Sequence, residues 1–344
     1  MNWPQPCGAP VASGTIRMRP EDFFVDEVLG FDPVGSGEHL LVRIEKIGAN
    51  TAWVASGLAK FCRVASRDVS YAGRKDRHAV TRQWFSVWLP GRSDPLWSNC
   101  EIEGVRILES VRHNRKLRRG ALAANNFTIV VRELRGAGAD LQARLAHAAA
   151  TGVPNFFGPQ RFGRGGSNLT LARRWFAGET RLKANKRSMA LSAARAEIFN
   201  AVLARRISDG SWIRPACGDA LNLDRRGGFF VCAQPDEDIV RRINAGELHV
   251  TGPLWGDGDT IVGHGVAALE NEVALQYPDL AAGLVAARLD HERRPLRVMP
   301  ASLSWQLDSD VLTLRFALPK GSFATSVLSD LLAVSDSAVA VSRQ

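Results

Sequence analysis

Strand-like patterning crowds the two ends of this chain and leaves a helical middle. Glu38–Ile47, Gln83–Leu89, Val105–Val111 and Asn126–Glu133 are rich in β-branched and aromatic residues with partial alternation, so they read as strands. Asn50–Phe61 between the first two carries a helical pattern, with Asn50 or Thr51 as cap. Gly136-Ala137-Gly138 punctuates the chain before an alanine-rich helix at Asp140–Ala150. From Thr151 to about Arg294 helical windows dominate, at Leu169–Phe176, Ser188–Ile207, Glu237–Ala245 and Leu269–Leu289, with short strand-like pieces such as Gly228–Ala233. Strands return at Leu296–Leu307 and Val311–Leu318, a hairpin around Asp308-Ser309-Asp310, and a helix at Ser322–Leu332 follows. The tail Ser335–Gln344 is expected to fray. This arrangement predicts an α+β domain, 1–150 with 295–344, interrupted by an inserted domain at 151–294.

The 344 residues leave room for two domains. The 44 basic against 35 acidic side chains, a net charge of +9, favour an acidic partner, most often nucleic acid. No stretch approaches the ~20 apolar residues of a membrane span, and MNWPQPCGAPVASG lacks a signal pattern, so a cytoplasmic protein is expected. Five scattered cysteines without CxxC, and histidines without HExxH, give no reason to expect a disulfide framework or a metal site.

The most informative segment is Tyr71-Ala72-Gly73-Arg74-Lys75-Asp76-Arg77-His78-Ala79-Val80-Thr81-Arg82-Gln83-Trp84. A loop built only to hold phosphate gains nothing from an acid, which repels the ligand. An acid set among Arg74, Lys75, Arg77 and His78 is instead held ionised, as a carboxylate nucleophile or base requires. A solvated turn with loosely paired charges is the plainer alternative. Further cations cluster at Arg112, Arg115, Lys116, Arg118 and Arg119, and again at Lys183, Lys186 and Arg187 near Trp175, a mixture suited to an RNA surface. Asn155–Asn168 packs glycines, aromatics and amides but carries no GK[ST] and no Rossmann spacing, so it reads as a hinge with RNA-facing Gln160, Arg161 and Arg164. Ser322 reads as a helix cap after a turn, with Phe323 beside it as a further RNA-facing candidate. The acids Glu21, Asp22, Asp26 and Glu27 flank Phe23-Phe24-Val25 and read as belonging to an edge strand, or else to a metal nuclease.

GRKDRHAVTRQW resembles the signature of the TruD-type tRNA pseudouridine synthases, and other segments fall in that family's order. They are RPEDFFVDE, GEHLLVRIEK, RGALAANNFTIVVR, VPNFFGPQRFGRGGSNL, LSAARAEIFN and LPKGSFATSVL, with the weakest correspondence between about Arg206 and Arg294. The resemblance implies a core of mixed, mainly antiparallel sheet with flanking helices, interrupted by a mostly helical α/β TRUD domain. It implies a cofactor-free isomerase that converts uridine 13 of tRNA to pseudouridine. By motif match Asp76 takes the catalytic aspartate's place, Asn125 and Phe127 hold the target base, and Arg17 is the basic partner of the acid. Relatives often carry a lysine at the position of Arg17 and a glycine before the asparagine, where this chain has Ala123-Ala124. Arginine keeps the charge but presents a planar fork instead of a point. The expected partner is tRNA, bound by a monomer without a required protein partner. Two other readings remain at this point: a non-catalytic RNA-binding protein, and a nuclease using Glu21, Asp22 and Asp76.

Overall fold

The computed structural model describes residues 3–136, 138–224 and 227–338. The first strands are β1 (Ser13–Ile16), β2 (Phe23–Leu29) and β3 (His39–Ile47), followed by helix α1 (Thr51–Phe61). Strands β4 (Val69–Tyr71), β5 (Val80–Trp88), β6 (Val105–His113) and β7 (Leu122–Arg135) come next, then helix α2 (Ala139–Thr151). The middle holds β8 (Val153–Pro154), α3 (Pro159–Phe162), α4 (Ser167–Phe176), α5 (Ala184–Ser208), β9 (Ala220–Leu223), β10 (Phe229–Val231) and α6 (Glu237–Asn244). It continues with β11 (Leu248–Leu254), α7 (His264–Ala274), α8 (Pro278–Ala286), β12 (Glu292–Pro295) and β13 (Arg297–Val298). The chain closes with β14 (Ala301–Asp308), β15 (Val311–Pro319), α9 (Ala324–Leu331) and β16 (Ala333–Asp336).

Contacts divide the chain into two compact units. One comprises Val11–Leu145, Pro300–Gly321 and the segment from Leu332; the other comprises the residues up to Pro10, Ala146–Met299 and Ser322–Leu331. Helix α9 therefore packs within the second unit, where the Ser326 hydroxyl donates to Phe156 O at 2.6 Å.

The first unit is built on a ten-stranded sheet in the order β14-β15-β7-β2-β5-β3-β6, with β4 on β5 and β1 joined to β7 and β16. Most pairs are antiparallel; β2 with β5 and β1 with β16 run parallel. Leu40, Val42 and Ile44 share one face with Phe85 and Val87, and α1 lays Val54 and Leu58 against them. The second unit packs Phe157, Phe199, Leu203, Trp212, Leu221 and Val250 around α5 and β11.

Four expectations change. Strand β2 is interior, paired with β5 on one side and β7 on the other, not at an edge. Asp26 and Glu27 within it and Asp22 just before it tolerate the position because each of the three has a cation: Asp22 with Arg132, Asp26 with Arg43, and Glu27 with Lys75. The Leu269–Leu289 window becomes two helices, because Pro278 opens α8 and the residue before a proline leaves the helical region. Leu296–Leu307 is cut at Met299-Pro300 into β13, which pairs with β8, and β14, which pairs with β15. The tail expected to fray contributes β16, parallel to β1; residues 339–344 of that expectation lie outside the described residues.

An interior β2 makes a direct prediction. Proline at Val25 loses a ladder hydrogen bond whichever neighbour the amide faces, and a central strand has no place for it. Val25→Pro should therefore give no cooperative unfolding transition by circular dichroism, and a wild-type melting curve would contradict an interior strand.

Candidate active site

The loop between β4 and β5 carries Arg74 to His78, and buried side chains grip its main chain at three successive points. Gln83 Nε2 donates to Gly73 O at 3.2 Å, the Lys75 amide donates to Thr51 Oγ1 at 3.0 Å, and Lys46 Nζ donates to Asp76 O at 2.8 Å. Thr51 Oγ1 donates in turn to Gln83 Oε1 at 2.9 Å, which closes the set. Lys46 and Gln83 are wholly buried, so each polar group there needs the partner it has.

Register explains how these groups meet. Lys46 lies opposite Thr81, Ile44 opposite Gln83 and Val25 opposite Thr81, so all share one sheet face. Glu27 and Val25 lie opposite Asn125 and Phe127 on β7, which places those two on the same face. The apolar core under α1 thus gives way, along one face, to a polar floor below the loop. Lys75 turns inward onto that floor: its Nζ lies 2.5 Å from Glu27 Oε2, and the Glu27 side chain is fully buried. Glu27 Oε1 accepts from the Trp84 amide at 3.2 Å.

Above the floor stands Asp76, with its side chain 26% exposed. Its Oδ2 accepts from Arg17 Nη2 at 2.8 Å, and its Oδ1 accepts from the His78 amide at 3.0 Å. Arg17 is buried, and its other terminal nitrogen donates to Asp336 Oδ2 at 2.5 Å. Its guanidinium also lies 3.9 Å over the Phe23 ring, a cation–π contact. At φ 56° Arg17 occupies the left-handed region, a conformation that only firm surroundings maintain in a non-glycine residue. Phe23 packs edge-on to Phe127 at 6.2 Å, and Phe127 stacks on Phe316 at 5.4 Å. A continuous series of contacts therefore leads from Asp76 through Arg17 and Phe23 to Phe127. The Phe127 residue is 9% exposed, so its ring belongs mostly to the floor. The Asn125 amide oxygen is buried yet has no hydrogen-bond partner among the described residues, an acceptor left open within the same face.

The remaining expected residues fall into two sets. In the first unit Arg74, Arg77 and His78 are exposed around Asp76, and Arg77 Nε donates to Gly48 O at 2.9 Å. Arg115, Lys116, Arg118 and Arg119 are exposed on the segment before β7. That segment is tied to the Asp76 loop by a bond from the Gly120 amide to Ala72 O at 2.8 Å. In the second unit Gln160, Arg164, Lys183, Lys186 and Arg187 are exposed, with Arg187 over Trp175 at 5.5 Å. Arg161 is half-buried between Phe157 and Phe323, at 5.3 and 5.5 Å, and donates to Ser192 Oγ at 2.7 Å. Burial and the nearby Arg161 push the Arg294 guanidinium down to about 9. The nuclease acids do not converge: among the described residues there is no group of three or more His, Cys, Asp or Glu side chains placed to hold a metal. Nor is any helix among them long and apolar enough to cross a membrane.

Sequence reasoning missed Lys46, Gln83 and Asp336, read Thr51 only as a possible helix cap, and took Glu27 for an edge-strand or nuclease acid. Nothing local in sequence marks Lys46 or Glu27 as facing the loop, and only the register shows that both point under it.

The chain matches the family model for tRNA pseudouridine synthase D (TruD) over residues 7–171 and 168–331. It is 46% identical to "tRNA pseudouridine synthase D" of Methylococcus capsulatus over 331 residues, 96% of this chain and 94% of that protein. The chain belongs to the TruD family. It is also 40% identical to the protein of the same name from Pseudoalteromonas atlantica over 338 residues, covering 97% and 96% of the two chains. A crystal structure from Methanosarcina mazei, provisionally assigned to TruD, shares the fold with a TM-score of 0.70 at 21% identity, over 93% of each chain. The expected mixed, mainly antiparallel α+β architecture is thus the family's own.

Burial lowers the Lys46 ammonium to about 8, against the opposing pull of Asp76. A folded pKa below the unfolded value means that the native state gives up its proton first, so burying this charge costs most below pH ~8 and the cost fades as pH rises towards ~10.5. Lys46→Met removes that titration. The melting temperature of wild type relative to Lys46→Met should therefore climb between pH 8 and 10.5, and a flat difference would show that burial leaves the Lys46 ammonium at its ordinary pKa.

Proposed function

We propose that this chain isomerises uridine to pseudouridine in tRNA, at position 13, with Asp76 acting on the nucleoside and without a cofactor. The observation that carries the reading is the Asp76 carboxylate, fixed by Arg17 on a clamped loop over the face that presents Asn125 and Phe127. Residues 1–150 with 295–344 would be the catalytic domain, and residues 151–294 the TRUD insertion.

The reaction breaks the C1′–N1 bond, turns the detached uracil and forms C1′–C5; C5 loses a proton and N1 gains one. No net oxidation occurs. A carboxylate beside the sugar can attack as nucleophile or remove a proton as base, and both routes need it ionised and oriented. Arg17 and the His78 amide hold the two oxygens of Asp76 from different sides, so orientation is set before RNA arrives. The target base must leave its stack at a cost of a few kcal/mol. The open acceptor of Asn125 is suited to an N–H of uracil, while the packed ring of Phe127 stiffens the floor below it. Arg74, Arg77, His78 and Arg115 would meet the phosphates around the target, and the cations of the second unit would bind the tRNA body. The inward Lys75 serves the loop rather than the RNA.

Purified protein incubated with unmodified tRNA, with or without EDTA, should yield pseudouridine at position 13 in both cases, mapped chemically. Asp76→Ala should lower the rate by about 10²–10⁴-fold or more while tRNA affinity stays within a few-fold of wild type. Unchanged turnover in that variant would overturn the assignment, and shortened RNA that vanishes with EDTA would favour a nuclease.

A further inference from the structure

Beside the loop lies a cleft of about 480 Å³, lined by Ala52, Ala55 and Ser56 of α1, by Val69, Ser70 and Tyr71 of β4, and by Lys116, Leu117, Arg118 and Arg119. Its lining has two chemistries. Ala52, Ala55 and the Tyr71 ring make an apolar wall backed by the buried Val69 and Leu117, while three cations and the hydroxyls of Ser56 and Tyr71 supply donors. No carboxylate lines it. Asp68, the acid next along the chain, accepts from the Ala65 amide at 3.2 Å within its own turn. Lys116 Nζ donates to Arg67 O at 2.7 Å, which holds the ammonium at the rim without neutralising it. Arg118 and Arg119 are exposed and make no ion pair among the described residues. The Tyr71 ring is fixed edge-on to Phe85 at 5.8 Å, yet its hydroxyl has no hydrogen-bond partner among the described residues.

The walls are also held in place. The Ser70 hydroxyl donates to Leu117 O and the Gly120 amide donates to Ala72 O, both at 2.8 Å, so the cationic segment cannot drift from β4. Tyr71 sits five residues before Asp76, at the entrance to the same loop. An apolar, ring-bearing wall beneath uncompensated guanidinium groups is matched by a planar base carrying a phosphate.

We infer that this cleft receives a nucleotide of the bound tRNA other than the target uridine. Its phosphate lies on Arg118 and Arg119 and its base lies against the apolar wall formed by Tyr71 and Ala55. The inference rests on the proposed function, and it assigns a binding subsite separate from the Asp76 floor. Seating a flanking nucleotide here would help to draw the target out of its stack, because stacking on protein replaces stacking in RNA.

The test fills the cleft. Ala52 and Ser56 are exposed on α1, so Ala52→Trp and Ser56→Trp occlude the space without entering the core. Binding of unmodified tRNA to the wild-type protein and to each variant is measured by filter retention across a salt series, alongside thermal melting and pseudouridine formation. Each tryptophan variant should melt like wild type and bind tRNA at least tenfold more weakly. The Arg118→Ala/Arg119→Ala variant should also bind more weakly and flatten the plot of log affinity against log salt by about 1 to 2 in slope. Wild-type affinity in a folded tryptophan variant overturns the inference. So does thermal stabilisation of wild type by free AMP that the variants lack, when their tRNA affinity is unchanged, because the cleft would then serve a small nucleotide. Absence of pseudouridine with the wild-type protein would overturn the parent reading instead, and the binding series would still decide the cleft.

Discussion

The ion pair between Arg17 and Asp76 sets the terms for the residues around it. A carboxylate on an exposed loop would sample many rotamers and pair with whichever neighbouring cation came closest. Here the strongest local donor is a buried guanidinium that cannot follow it into solvent. Arg17 is itself tied to Asp336 and stacked on Phe23, so its position derives from the first strand, the last strand and the interior strand together. Such a pair adds little stability for its cost in desolvation. What it supplies is a fixed direction for one oxygen.

The loop is fixed from below by a different kind of contact. Gln83, Thr51 and Lys46 bind main-chain atoms of Gly73, Lys75 and Asp76, so the loop keeps its shape whatever its exposed side chains meet. Removing any one of these partners would leave a buried polar group unsatisfied, which is costlier than the bond itself is worth. Together the main-chain clamp and the Arg17 pair constrain the same residue along independent routes. Preorganisation of this sort suits a reaction whose difficulty lies in holding a loosened base near a sugar carbon.

The sequence made a good part of this legible. The loop was visible because an acid among cations contradicts simple phosphate binding, and the major strands and α1 followed from their patterning. The interior place of β2 was hidden because its acids imitate an exposed edge, when each is neutralised by a cation far along the chain. Asp336 was hidden by its place near the end, since only pairing of β16 with β1 brings it to Arg17. Lys46 was hidden by strand alternation: its neighbours on the same face are apolar, and nothing local marks the spot where the face turns from core to site. Long-range register decided all three, and no window of sequence contains it.

On the proposed function, Arg17 serves the reaction by orienting Asp76. A double-mutant cycle tests it most directly, using single-turnover pseudouridine formation by wild type, Arg17→Met, Asp76→Ala and the double variant on saturating tRNA. If the account holds, Arg17→Met slows the step substantially on its own, yet adds almost nothing once Asp76 is gone. If the two losses add in full, Arg17 works independently of the carboxylate and the account is wrong.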